Sequence, residues 1–194
     1  MPMTADLTIR ETAALSGVAP ATIEKSVEAR VLRPVPGPCR VRGGSKRYLP
    51  LRAVVYFRVL KAARLTDLPV RHKRSIWARM AKLEPMKLEI IEFTPGAMLD
   101  LERLAADSLR EAERYARDRD RYIASDPAIL GGTPVIAGTR VSVYAILGRL
   151  QDGDTLDDIQ LDYPEIPREA IVAAELFAKA HPLRGRPSGR PWRN

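Results

Sequence analysis

Gly17 separates two short helical segments, and this punctuation limits what the N-terminal part of the chain can fold into more than any other feature. Residues 8–16, TIRETAALS, place a capping threonine at Thr8, Glu11 three positions on, and Ile9, Ala13 and Ala14 as an apolar side. Ala19-Pro20 then opens a second helix through ATIEKSVEA, with proline at a first-turn position and Ile23 and Val27 four apart to face the first helix. Two helices this short around one glycine predict a helix-turn-helix.

The next stretch, RVLRPVPGPCRVRGGSKRYLP, is too rich in proline and glycine to be helical. Val41-Arg42 and Arg47-Tyr48-Leu49 flank Gly43-Gly44, which predicts a small β-hairpin, or wing. Helical spacing resumes in LRAVVYFRVLKAARL, with Leu51, Val54, Val55, Phe57 and Leu60, and again in VRHKRSIWARMAKL, where Ile76, Trp77 and Met80 supply the buried face. Alternation in MKLEIIEF predicts a strand near 86–93, and a long helix is expected from Pro95 to Arg121. Its stripe of Leu101, Leu104, Ala105, Leu109, Ala112, Tyr115 and Ala116 suits core packing, with a dimer seam as the alternative.

Beyond it, DPAILGGTPVIAGTR has short apolar runs that could pair as a hairpin, with Gly131, Gly132 and Gly138 expected at positive φ or at close backbone approaches. VSVYAILGRLQDG reads as a helix ended by Gly153, TLDDIQLDYP as one capped by Thr155 and Asp158, and REAIVAAELFAKAHP as a closing helix. The expected fold class is mainly α with small β elements. A winged helix-turn-helix occupies 1–83, a strand and long connecting helix 84–122, a three-helix, helix-turn-helix-like module 123–182, and an extended basic tail 183–194.

Charge divides along the same lines. The net charge is +8, yet between residues 1 and 82 the acids are only Asp6, Glu11, Glu24, Glu28 and Asp67. From 151 to 182 the sign reverses, with Arg168 and Lys179 alone against Asp152, Asp154, Asp157, Asp158, Asp162, Glu165, Glu169 and Glu175. A cationic N-terminal third fits a polyanionic partner, of which DNA is the commonest. On the second helix Ala21, Thr22, Lys25 and Ser26 lie opposite Ile23 and Val27, with sizes suited to base edges and phosphates. Arg40, Arg42, Lys46 and Arg47 on the wing could follow the adjacent backbone or a minor groove.

Several classes are excluded. No stretch approaches the roughly 18 uncharged apolar residues of a membrane span, and the N-terminus lacks the apolar core of a signal peptide. Cys39 is the single cysteine, so no internal disulfide forms and a reducing, cytoplasmic setting is expected. With His72 and His181 far apart in sequence, neither a metal site nor a cofactor is expected. No nucleophile elbow, phosphate loop or glycine-lined acidic cluster suggests an enzyme.

Two resemblances sharpen this reading. GSKRYLPLRAVVYFRVLKA, following LTIRETAALSGVAPATIEKSVEARVL, resembles the winged-helix half of MerR-type regulators over about residues 7–65, although PVPGPCRVRGG replaces their tighter wing turn. Residues 126 to 178 are similar to a small helical domain of VapB-type antitoxins, marked here by Gly131, Gly132, Pro134, Gly138, Thr139, Arg140, Asp162, Tyr163 and Pro164. The resemblance implies an antitoxin that neutralises a PIN-like ribonuclease toxin and represses its own operon as a homodimer on operator DNA. The alternative is a stand-alone MerR-like or excisionase-like regulator. Asp162 should fix the Tyr163-Pro164 turn, with Tyr163 in the core. Arg140 could bind phosphate or pair with the acidic 152–165 region. In the tail, Arg184, Arg186, Arg190 and Arg193 could enter the carboxylate pocket of such a nuclease with Trp192 as an apolar anchor, or could add to DNA affinity.

Overall fold

A computed structural model describes residues 7–37, 47–84 and 87–183. It is mainly helical with small antiparallel sheets. Strand β1 (Leu7–Thr8) runs into α1 (Ile9–Ser16), and α2 (Pro20–Glu28) follows after the turn. Thr8 closes the start of α1 by the expected capping box: its side chain accepts from the Glu11 amide at 3.2 Å, and the Glu11 carboxylate accepts from the Thr8 amide at 2.7 Å. Gly17 ends the helix in the left-handed conformation at φ 67°. Ile9, Ala13 and Ile23 are buried as expected, but Ala14 is exposed, because α1 turns Leu15 inward instead.

The wing expectation needs correction. Strand β3 (Arg47–Leu49) pairs with β2 (Val35–Pro36) and with β1, in the order β1-β3-β2, so Tyr48 lies between Val35 and Thr8. Residues 41 and 42 lie outside the described residues. Tyr48 explains the choice of register: its ring is buried and covers Gly37 so closely that a Cβ there would stand 2.5 Å from the ring. Helix α3 (Arg52–Ala62) is buried almost throughout, and α4 (Val70–Lys82) packs Ile76 and Met80 inward with Trp77 half-buried and edge-on to Tyr56.

A hairpin replaces the start of the expected long helix. Strands β4 (Ile90–Thr94) and β5 (Ala97–Asp100) pair across Pro95-Gly96, with Gly96 at φ 77° and its amide bound to the Glu92 carboxylate at 2.9 Å. Proline followed by a left-handed glycine makes a turn and not a helix start. Helix α5 (Leu101–Tyr122) begins only after Asp100 caps it. Its stripe is core: Leu101, Ala105, Leu109, Ala112, Tyr115 and Ala116 are buried against neighbouring helices of the same chain.

In the C-terminal module, β7 (Val135–Ile136) pairs with β6 (Ile123–Ala124), the two residues that follow α5, with a further bridge to Ser142. The expected hairpin within 126–140 is thus formed by a strand outside that segment. Helices α6 (Val143–Gln151), α7 (Leu156–Asp162) and α8 (Arg168–Ala180) enclose a second core around Ile146, Ile159, Ile171 and Phe177. Gly131, Gly132 and Gly138 hold φ of 64°, 84° and 78°, as their positions in the sequence suggested. Leu7, Leu15 and Val54 pack with Ala112 and Tyr115, and Leu176 of α8 closes over them, so α1, α3, α5 and α8 share one interior.

Candidate nucleic-acid interface

Helix α2 supplies the surface that the sequence singled out. Pro20 pre-sets the first turn, and Ile23, fully buried, fixes which side faces the core. Ala21 and Lys25 are exposed and Thr22 is half-buried. Ser26 is a correction: only 6% of it is exposed, and its hydroxyl donates to the Thr22 carbonyl at 3.0 Å. Residue 26 lies three positions after Ile23, so it shares the buried side and its donor is already used. Glu24 and Glu28 join Lys25 on the open face. Arg47 is exposed on β3, while Arg40, Arg42 and Lys46 lie outside the described residues.

A groove of about 580 Å³ opens beside α2, between the helix-turn-helix and the α3–α4 connection. Lys25, Lys61 and Lys73 line it with Thr22 and Thr66, and Asp67 is the one carboxylate among its described lining residues. Sequence reasoning left out Lys61 and Lys73, which come from other helices. Two of the nearby cations hold the motif together. Lys61 Nζ donates to the Gly17 carbonyl at 2.6 Å, and Arg74 donates to the Ala29 carbonyl at 2.6 Å, satisfying carbonyls at the ends of α1 and α2. Arg52 does the same for α4, reaching the carbonyls of Met80, Leu83 and Glu84 at 2.7, 2.9 and 3.0 Å. The surplus of bases counted along the sequence is therefore partly structural.

The C-terminal module uses a different arginine from the one expected. Arg149 binds Asp154 at 2.5 Å and Asp162 at 2.7 Å and lies over the Tyr163 ring at 5.8 Å. The hydrogen bond that Arg149 donates to Asp154, then the one to Asp162, pushes its pKa upward. Asp162 thus ties the end of α7 to α6, while the turn after it is held by Gln160, which donates to the Tyr163 and Ile166 carbonyls at 3.4 and 2.7 Å. Tyr163 packs at the edge of the core. Arg140 is exposed and forms no ion pair with a described residue, so the internal pairing weighed for it falls to Arg149, which projects from α6 toward both acids. Asp157 is held by Arg168, and the Thr155 hydroxyl and amide hold the Asp158 pKa down. No group of three or more metal-ligating side chains gathers among the described residues, and none of their helices is long and apolar enough to cross a membrane. Arg184, Arg186, Arg190, Trp192 and Arg193 lie outside the described residues.

A buried charge cluster joins α1 to α5, and sequence reasoning missed it. Arg119, 1% exposed, lies on the inner face of α5 and pairs with Glu11 of α1 at 3.1 Å and with Asp120 at 2.9 Å. The Tyr115 hydroxyl also donates to Glu11, at 2.8 Å. The signal was present: Arg119 continues the apolar stripe one turn beyond Ala116.

Comparison with known proteins places part of the chain. Residues 123–178, the C-terminal module, match a family described as "Protein of unknown function (DUF433)". The uncharacterized protein y4eO of Sinorhizobium fredii (strain NBRC 101917 / NGR234) is 36% identical over 103 residues, which are 53% of this chain and 41% of that protein. The chain thus spans less than half the length of that relative. The crystal structure of Rv2018 from Mycobacterium tuberculosis aligns over 87% of this chain and 96% of its own, at 20% identity and a TM-score of 0.39. The C-terminal module is accordingly similar to a family whose members are grouped by sequence and not by an assigned activity.

Proposed function

We propose that this chain is a cytoplasmic DNA-binding antitoxin of a type II toxin–antitoxin pair, without catalytic activity of its own. It represses its operon through the N-terminal helix-turn-helix and blocks a PIN-like ribonuclease through its C-terminal tail. The observation that supports the reading best is the groove beside α2, whose described lining holds Lys25, Lys61 and Lys73 against Asp67, with Glu24 and Glu28 on the open face of the same helix. Such a surface suits a phosphate backbone, with Ala21 and Thr22 small enough to let base edges approach. The tail residues Arg184, Arg186, Arg190 and Arg193 offer guanidinium groups for a nuclease's metal-binding carboxylates. A homodimer would match a palindromic operator.

The test is co-expression with the product of the adjacent reading frame. Co-purification and rescue of growth are expected, together with binding to the chain's own promoter. A chain lacking residues 183–194 should keep promoter binding and lose rescue. Loss of both functions, or of neither, would contradict this division of labour. Promoter binding with no protein partner would favour the stand-alone regulator.

A further inference from the structure

Among the described residues three that are not glycine hold a positive φ: Arg30 at 55°, Arg64 at 57° and Leu130 at 48°. The two arginines occupy equivalent places. Arg30 follows Ala29, the last residue of α2's cap, and Arg64 follows Ala63, that of α3. At both, the left-handed residue lets the next amide turn back onto the helix: Val31 donates to the Ser26 carbonyl at 2.9 Å and Leu65 to the Leu60 carbonyl at 2.7 Å. Glycine is the usual residue at such a helix end, because an L side chain strains the backbone there. The chain itself follows that rule after α1, where Gly17 closes the helix at φ 67°. Arginine brings no conformational advantage over glycine or asparagine in that role.

Beyond the general attraction of a cation to a helix C-terminus, the two guanidinium groups hold no specific partner among the described residues. Both residues are exposed, and neither has an ion-pair or side-chain hydrogen-bond partner among the described residues. What they share is a location. Ala29 and Val31, the neighbours of Arg30, line the basic groove, as do Lys61 and Thr66 on either side of Arg64. Neither arginine lines the groove itself; each lies within three positions of residues that do, and the groove already holds three lysines. Backbone strain of this kind clusters at ligand clamps and other functional sites.

We propose that this groove seats the sugar-phosphate backbone of duplex DNA, with Arg30 and Arg64 as phosphate contacts at its two sides, retained against the preference of both helix ends for glycine. The inference rests on the DNA-binding reading and adds the surface of the α3–α4 connection to it. Arg30 and Arg64 contact phosphate, so their contribution is independent of base sequence and dependent on salt.

The test measures two properties of Arg30→Gly, Arg64→Gly and the double variant in the full-length chain. One is the thermal midpoint, expected to be no lower than that of the unmodified chain because each substitution removes strain. The other is affinity for a labelled duplex across about 50 to 200 mM salt. Each lost phosphate contact should reduce the salt slope by about 0.9, so that each single variant loses about 3.5-fold less affinity over that range and the double variant about 12-fold less. Arg30→Lys and Arg64→Lys should keep the slope. A lower midpoint in the glycine variants would show that the arginines hold the fold, and an unchanged slope would show that they touch no phosphate; either overturns the inference. If the unmodified chain binds no duplex at low salt, the DNA-binding reading itself fails. Binding with an unaltered slope in the variants defeats this inference alone.

Discussion

Glu11 and Arg119 stand 108 positions apart in the chain, and the Arg119 guanidinium donates to the Glu11 carboxylate at 3.1 Å with side-chain exposures of 0% and 1%. One oxygen of Glu11 completes the cap of α1 through the Thr8 amide, and the other takes Arg119 and the Tyr115 hydroxyl. His181, at the end of α8, lies near enough for its charge to act on the same carboxylate. A local helix cap and the junction of α1 with α5 thus depend on one side chain.

Removing one partner of a buried ion pair leaves an uncompensated charge, which typically costs about 3–5 kcal/mol, whereas replacing both by apolar residues is often close to neutral. Glu11→Ala is expected to lower unfolding stability by about that amount in urea titration. A Glu11→Leu, Arg119→Met double variant should recover only part of the loss, since the Thr8 amide, the Tyr115 hydroxyl and Asp120 each lose a partner in it. A single variant that loses less than about 1 kcal/mol would mean that the pair is not stabilised by its partners in this way.

Burial alone would push the Glu11 carboxyl up, but the Arg119 guanidinium, His181, the Thr8 amide and the Tyr115 hydroxyl together hold it below its ordinary value of 4.5. A carboxyl depressed by folding contributes stability that is complete above the unfolded value and is lost as pH falls toward the folded one. The urea midpoint should therefore decline as pH drops below about 4.5, and more steeply than in Glu11→Gln. Equal slopes for the two proteins would place the acid sensitivity at other carboxylates.

Much of the fold could be read from residues whose effect is local. Gly17, the Thr8–Glu11 and Thr155–Asp158 boxes, and the positive φ at Gly131, Gly132 and Gly138 follow from three- or four-residue geometry that the sequence displays directly. The errors arose where tertiary pairing decided. Pro95-Gly96 suits a turn as well as a helix start, and only the pairing of Ile91 with Leu99 selects the turn. Arg149 and Arg140 both lie near the acidic segment in sequence, yet only α6 aims its arginine at Asp154 and Asp162. The groove was hidden for the same reason, since Lys25, Lys61 and Lys73 belong to three helices.

Arg52 spreads one guanidinium over three carbonyls at the end of α4, a fork geometry that a lysine ammonium cannot reproduce. Arg52→Ala is expected to cost about 1.5–3 kcal/mol, the range of a hydrogen bond to a charged group. Arg52→Lys should restore less than half of it. Hydrogen exchange offers a local readout: protection should fall first at the C-terminal turn of α4. Full rescue by lysine would show that charge alone suffices there.

Gly138 and Gly37 separate two reasons for glycine. Gly138, inside the GTR run, holds φ 78° with nothing within 4 Å of a built Cβ, so Gly138→Ala meets only backbone strain. That strain costs about 1 kcal/mol. At Gly37 a methyl group would collide with the Tyr48 ring at 2.5 Å, and that ring is only 2% exposed and pinned by the three-stranded sheet. Forcing such a ring aside resembles overpacking a core, at about 1–3 kcal/mol. Gly37→Ala should therefore be the more damaging change in thermal unfolding, and Tyr48→Ala should erase the difference between glycine and alanine at position 37. If Gly37→Ala stays as costly without the ring, the constraint lies in the backbone and the steric account is wrong.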